Sequence, residues 1–128
     1  MHPDIWELGG LDDLDLLIAE SSLRPVLLLK HSYSCGTSAQ ALDELIEHLD
    51  SRGAEHVRFA LVIVQSHREV SNDAARRLGI RHETPQALLI RDGKVLWHAS
   101  HFRVTASSIA SAIAKYADRK STRLNSSH

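Results

Sequence analysis

A single cysteine, Cys35, stands in a polar stretch, His31-Ser32-Tyr33-Ser34-Cys35-Gly36-Thr37-Ser38. The apolar run Val26-Leu27-Leu28-Leu29 precedes it, and Ala39, Leu42, Leu45, Ile46 and Leu49 follow at helical spacing. Cys35 therefore falls between a strand and the first turn of a helix, where unpaired N–H groups and the positive end of the helix dipole favour an anion. For a cysteine that anion is the thiolate, the form that attacks disulfides, so the position lowers the thiol pKa. Ser38 lies three residues on, where its hydroxyl can donate to the sulfur. Serine cannot form a disulfide, so a mixed disulfide on Cys35 has to be released by an outside thiol. The competing reading is a buried cysteine acting as a small hydrophobe. Its neighbours Ser34, Gly36 and Thr37 offer no apolar stripe for it to join.

The elements that position this loop follow from apolar patterning. Leu11, Leu14, Leu17 and Ile18 predict an amphipathic helix over Leu11 to Ser21. Val26–Leu29 and Phe59–Val64 are continuous apolar runs of strand length, as in the centre of a sheet. A helix through Ala39–Leu49 closes at Ser51-Arg52-Gly53, and a shorter polar helix through Ala74, Ala75 and Leu78 stops at Gly79. Gln86–Ile90 and Val95–Trp97 flank Arg91-Asp92-Gly93-Lys94, and Asp-Gly between apolar runs signals a hairpin turn. Ile109, Ala112, Ile113 and Tyr116 mark a closing helix, and Ile5–Leu8 can add a short strand.

Helix, strand, helix, strand, helix, hairpin and helix make a βαβ unit joined through a helix to a ββα unit. The fold class is therefore α/β and thioredoxin-like, a central mixed β-sheet flanked by helices on both faces. In thioredoxin-like proteins a cis proline opens the strand facing the reactive cysteine and leaves the preceding backbone free to pair with substrate. Thr84-Pro85 occupies that place in the element order. Sequence does not display the isomer, and this context favours cis over the usual trans.

Bulk properties narrow the function classes. The 128 residues suit one domain, with 43% apolar residues to close its core, and no internal repeat or linker divides them. Fifteen basic against 16 acidic side chains give a formal charge of −1, which supplies no electrostatic pull toward nucleic acid or an anionic membrane. Met1-His2-Pro3-Asp4 lacks the basic start and long apolar run of a signal peptide. A lone cysteine makes no internal disulfide, so a cytoplasmic protein is the expectation. Of the nine histidines, His31, His98 and His101 could join Cys35 around a metal, yet no pair has strong ligand spacing and no metal is expected. Asp43, Glu44, Glu47 and Asp50 read as a solvated helix face, and Trp97 as a core residue.

Residues 118–128, Asp-Arg-Lys-Ser-Thr-Arg-Leu-Asn-Ser-Ser-His, abandon apolar periodicity and match the translation of a common sequencing adapter. We read them as a non-native tail behind a thioredoxin-like domain of residues 1–117, with an ordinary disordered terminus as the alternative. Without the tail, 12 basic groups face 15 acidic ones, a formal −3.

The segments His31–Ser38, His82-Glu83-Thr84-Pro85-Gln86, Asp92–His101 and Ser71-Asn72 together resemble the YtxJ family, the monothiol bacilliredoxins of bacillithiol-using bacteria. The resemblance runs from about Trp6 to Ala114. It implies that Cys35 attacks the mixed disulfide of an S-bacillithiolated client protein and takes over bacillithiol or a related low-molecular-weight thiol. A second thiol or a reductase then regenerates it, with no bound cofactor. On this reading Cys35 and Ser38 are catalytic, and His31, Gly36, Thr37, Thr84 and Pro85 bind substrate. The family's usual Thr-Cys-Pro-Ile-Ser pattern differs here, with Gly36 for proline and Thr37 for isoleucine. The difference bears on reactivity and substrate preference rather than on fold. A noncatalytic thioredoxin-fold binding module and a thiol-capped redox sensor stand as alternatives, separated by Cys35 pKa and by turnover.

Overall fold

A computed structural model of the protein describes residues 2–117, and the tail assigned to residues 118–128 lies outside them. The strands are β1 (Ile5–Glu7), β2 (Val26–His31), β3 (Arg58–Ile63), β4 (Gln86–Arg91) and β5 (Lys94–Ser100). The helices are α1 (Leu11–Glu20), α2 (Gly36–Arg52), α3 (Arg68–Leu78) and α4 (Ala106–Ala112). A 3-10 turn, His101–Arg103, leads toward α4, which runs on into a π-helical turn, Ile113–Ala117.

The strands form one mixed sheet in the order β1-β3-β2-β4-β5. β1 and β2 pair parallel to β3, while β4 runs antiparallel to both β2 and β5. Strand alternation divides the core into two layers. Leu27, Leu29, Phe59, Leu61, Ala87 and Leu89 pack with Ala41, Leu45, Leu49 and Ile109 of α2 and α4. Val26, Leu28, Ala60, Val62, Leu88 and Ile90 pack with Leu14, Leu17, Val70 and Ala74 of α1 and α3. Apolar surface is removed from water on both faces, which is why β2 and β3 read as unbroken apolar runs.

The turn chemistry works as the residues predict. Asp92 and Gly93 take φ of 55° and 74°, the paired positive values of a two-residue hairpin turn. Gly79 ends α3 in the left-handed conformation at φ 70°. The buried Ser21 ties the hairpin to α1: its carbonyl accepts from Asp92 N–H at 2.8 Å and its hydroxyl from Gly93 N–H at 3.0 Å.

Four sequence expectations change in detail. α2 begins at Gly36 rather than Ala39, so Gly36, Thr37 and Ser38 of the polar stretch belong to its first turn. β5 continues past Trp97 to Ser100, with a register shift opposite Leu89/Ile90. Trp97 is half-buried and packs against the α2/α4 layer rather than lying fully inside it. Glu44 is not merely solvated: its Oε1 accepts from Ala106 N–H at 2.7 Å, satisfying an open donor at the start of α4, where Thr105 and Ser108 form a capping box.

Candidate functional site

The loop between β2 and α2 is laced from inside. Cys35 N–H donates to the Ser32 carbonyl at 3.2 Å, and Ser32 N–H donates to the hydroxyl of the fully buried Ser38 at 3.2 Å. Gln65, just past β3, donates its side-chain amide to Ser32 Oγ at 2.6 Å and to Ser34 Oγ at 2.9 Å. Tyr33, at the loop's tip, is exposed. The chain therefore turns into α2 in one defined geometry, with Cys35 as the N-cap in extended backbone conformation, φ −123° and ψ 124°.

Cys35 is half-buried and carries a free thiol. The resting side chain makes no capping hydrogen bond. The charged form is favoured by the amide N–H groups of Ser38 and then Thr37, and to a lesser degree by the two hydroxyls. Partial desolvation opposes them, and the thiol is held below its ordinary pKa. This is the electrostatic effect expected at a helix N-terminus, and an accessible thiolate is the species that exchanges with disulfides.

The Thr84-Pro85 peptide bond is cis. Lys30 on β2 pairs with Gln86 on β4, which brings the His31 end of β2 level with Pro85. The Pro85 carbonyl accepts from His101 N–H at 2.9 Å, joining the end of β5 to the same edge. The cysteine loop, Thr84-Pro85 and the β5 terminus thus share one end of the sheet. Beside them opens a cleft of about 370 Å³ lined by Glu83, His98, Ser100, His101 and Arg103 among others. Glu83 is held below the usual carboxylate range, first by the Ser100 hydroxyl, with His101, Arg81 and His98 assisting against desolvation.

The residues predicted from sequence divide by location. Cys35 and Thr37 are half-buried and Gly36 is exposed, on the outer side of the first turn of α2. Ser38 is buried beneath that turn. His31 is only 7% exposed and, by alternation with Leu27 and Leu29, faces the α2 side of the sheet. Burial pushes its imidazole below the ordinary pKa, opposed by a hydrogen bond with the Ser38 backbone, and its Nδ1 has no partner. His31 therefore supports the cysteine turn from below. Thr84 is half-buried and Pro85 buried at the facing strand entrance. Among the described residues no three His, Cys, Asp or Glu side chains converge to hold a metal.

Nothing at Gly36 demands glycine. Its backbone does not enter the positive-φ region, and an added Cβ would meet nothing within 4 Å. Proline is preorganised for a first helical position, and it requires an extended residue before it, which Cys35 already is. Gly36→Pro is expected to stabilise the fold by about 0.4–1 kcal/mol through a less flexible unfolded chain. Chemical denaturation checks this, and an unchanged or lower midpoint would count against the geometry of the turn.

Gln65, Lys30, Ser71 and His82 join the site without a role that the sequence predicts. Lys30 is entirely buried. Strand alternation carries the signal for it, since Lys30 continues the face of Val26 and Leu28. Ser71 and His82 belong to segments of the family resemblance, and their contact, 2.9 Å from Ser71 Oγ to His82 Nδ1, appears only in three dimensions. No local pattern marks Gln65.

Comparison with known proteins accords with this geometry. The family model described as monothiol bacilliredoxin BrxC matches residues 7–109. A solved structure described as a candidate oxidoreductase with a thioredoxin fold superposes with a TM-score of 0.76 at 31% identity, covering 85% of this chain and 93% of that one. Fasciola hepatica thioredoxin follows at TM-score 0.70 and 20% identity, covering 87% and 98% of the two chains. Mitochondrial thioredoxin 3 from Saccharomyces cerevisiae gives 0.67 at 15% identity, with 87% and 94% covered. The last two establish the fold alone. With its one cysteine capping α2 and a family match over most of its length, the chain is a thiol–disulfide oxidoreductase belonging to the monothiol bacilliredoxin family.

Proposed function

We propose that the protein removes bacillithiol, or a related low-molecular-weight thiol, from mixed disulfides on client proteins. The observation that carries this reading is the half-exposed Cys35 at the N-terminus of α2, its thiolate favoured by the Ser38 and Thr37 amides. The Cys35 thiolate attacks the low-molecular-weight sulfur of the mixed disulfide. The old S–S bond breaks, the client leaves as a thiolate, and a new disulfide joins Cys35 to the small thiol. A second small thiolate attacks that disulfide, leaving the symmetrical disulfide and free Cys35; a reductase acting on the same bond does the equivalent.

Ser38 supports the thiolate from within the turn, while Gly36 and Thr37 form its outer surface. Thr84-Pro85 receives the extended client segment, and His31 backs the turn. The thiol is a co-substrate, and no bound cofactor takes part. The reaction suits a reducing compartment, and we assign the protein to the cytoplasm. No helix among the described residues is long and apolar enough to cross a membrane.

The test is a client protein carrying bacillithiol, or glutathione for comparison, mixed with the reduced protein without reductant. Mass spectrometry is expected to find the bacillithiol adduct on Cys35 and the client freed, faster than with glutathione. Equal rates would remove the bacillithiol preference, and no adduct on Cys35 would return the protein to a binding role.

A further inference from the structure

On the sheet face opposite His31, Lys30 is 0% exposed, one of the largest side chains so completely buried among the described residues. It is a charged group on the α1/α3 side, among the Val26, Leu28, Val62 and Val70 layer. Its Nζ lies 3.2 Å from His82 Nδ1, which also lies 2.9 Å from Ser71 Oγ on α3. The other ring nitrogen, His82 Nε2, lies 3.2 Å from Thr84 Oγ1.

An ammonium group only donates, so a charged Lys30 requires Nδ1 of His82 to be the accepting nitrogen. The neutral ring then carries its proton on Nε2 and donates to the Thr84 hydroxyl. Burial, with the positive charges of Lys30 and Arg68 nearby, keeps the ring neutral against the weaker pull of Glu83. One tautomer thus runs a directed line of donors from the core to the residue before Pro85. The β2–β4 ladder begins only at Gln86 and does not hold Thr84, and the His101 N–H that ties the Pro85 carbonyl leaves the Thr84 side chain to this line.

We propose that Lys30 and His82 are positioning residues for the exchange reaction, their hydrogen-bonded line to the Thr84 hydroxyl holding the Thr84-Pro85 segment in its substrate-receiving conformation. This rests on the reading of Thr84-Pro85 as the client-binding segment given above. A buried lysine costs stability unless its partners compensate, and here its hydrogen-bond partner among the described residues reaches the substrate edge.

The experiment measures release of a small thiol from a bacillithiolated client protein by wild type, Lys30→Met, Thr84→Val, Thr84→Ser and the Lys30→Met/Thr84→Val double variant. Lys30→Met is expected to lower kcat/KM on the order of tenfold, the worth of one net hydrogen bond, with the loss in KM. Its Cys35 alkylation by a small reagent should stay at the wild-type rate, which a general loosening of the fold would not allow. The double variant should be no slower than the slower single variant, because both cut the same line. Thr84→Ser, which keeps the hydroxyl that meets His82 Nε2, should recover most of the rate lost in Thr84→Val, and a loss as large as that of Thr84→Val would overturn the proposal.

Additive losses, or Lys30→Met turning over like wild type, would overturn the proposal. Should Lys30→Met fail to fold, the same coupling is read between His82→Leu and Thr84→Val. A wild type that releases no thiol defeats the proposed function and this inference with it. A wild type that turns over beside an equally fast Lys30→Met defeats the inference alone.

Discussion

Cys35→Ser is expected to reduce thiol release from mixed disulfides to the uncatalysed rate while the fold keeps its wild-type stability. The chain has no other cysteine to substitute for it. A serine hydroxyl is not ionised near neutral pH and cannot form a disulfide, so neither half of the exchange remains. Stability should hold because the Cys35 side chain is half-exposed and makes no capping hydrogen bond that the substitution removes. Release kinetics and denaturant unfolding check the two claims separately, and residual turnover in Cys35→Ser would end the thiolate mechanism. The pH dependence follows from the same geometry. Because the thiol pKa is depressed, alkylation of wild type should rise with pH and level off earlier than for an ordinary thiol. Ser38→Ala should move that midpoint upward only in part, since the Ser38 and Thr37 amides contribute more than the hydroxyls.

Lys30→Met is expected to stabilise the protein at neutral pH and to lack the rise in stability that wild type should show under alkaline conditions. Burial lowers Lys30 from 10.5 to about 8. The groups around it are His82, Ser71 of α3, and the charges of Arg68 and Glu83 acting on His82, and none is a carboxylate paired to the ammonium. Below pH 8 the lysine is protonated in both folded and unfolded chains, and the full cost of burying the charge is present. Between about 8 and 10.5 the folded chain has released the proton and the unfolded chain retains it. The unfolded state then binds more protons, so unfolding free energy increases with pH across that window. A displacement of this size corresponds to on the order of 3 kcal/mol. Methionine fills a similar volume without the charge, and apolar replacements of buried charges are often neutral or stabilising. Denaturant titrations of both proteins at several pH values measure the difference. Parallel pH curves would show that Lys30 keeps its ordinary pKa in the fold. Joined to the slower exchange expected of the same variant, the result would place Lys30 where stability is given up for positioning.

Much of this architecture is legible in the sequence. Leu14, Leu17, Leu45 and Leu49 repeat at helical spacing and are buried, and the Val26–Leu29 run is buried throughout. Asp92-Gly93 supplied the turn, Gly79 the helix stop, and Cys35 sits at the helix start its flanking residues predict. These features are local: periodicity, cap chemistry and positive-φ preference act over a few residues and are written in adjacent letters.

What the sequence by itself determined, then, is the element order, the two-layered burial and the placing of one activatable thiol at a helix N-terminus. The tertiary structure decided what meets that thiol and what braces it. Ser32 and Gln65 lie 33 residues apart, and Lys30 and His82 lie 52 apart, yet each pair shares a hydrogen bond. His31 and Lys30 are adjacent letters on opposite faces of β2, one beneath the cysteine turn and the other on the line to Thr84. Strand pleating separates such neighbours, and sheet register brings together residues with no local relation, so these partnerships exist only once β2, β3 and β4 are aligned.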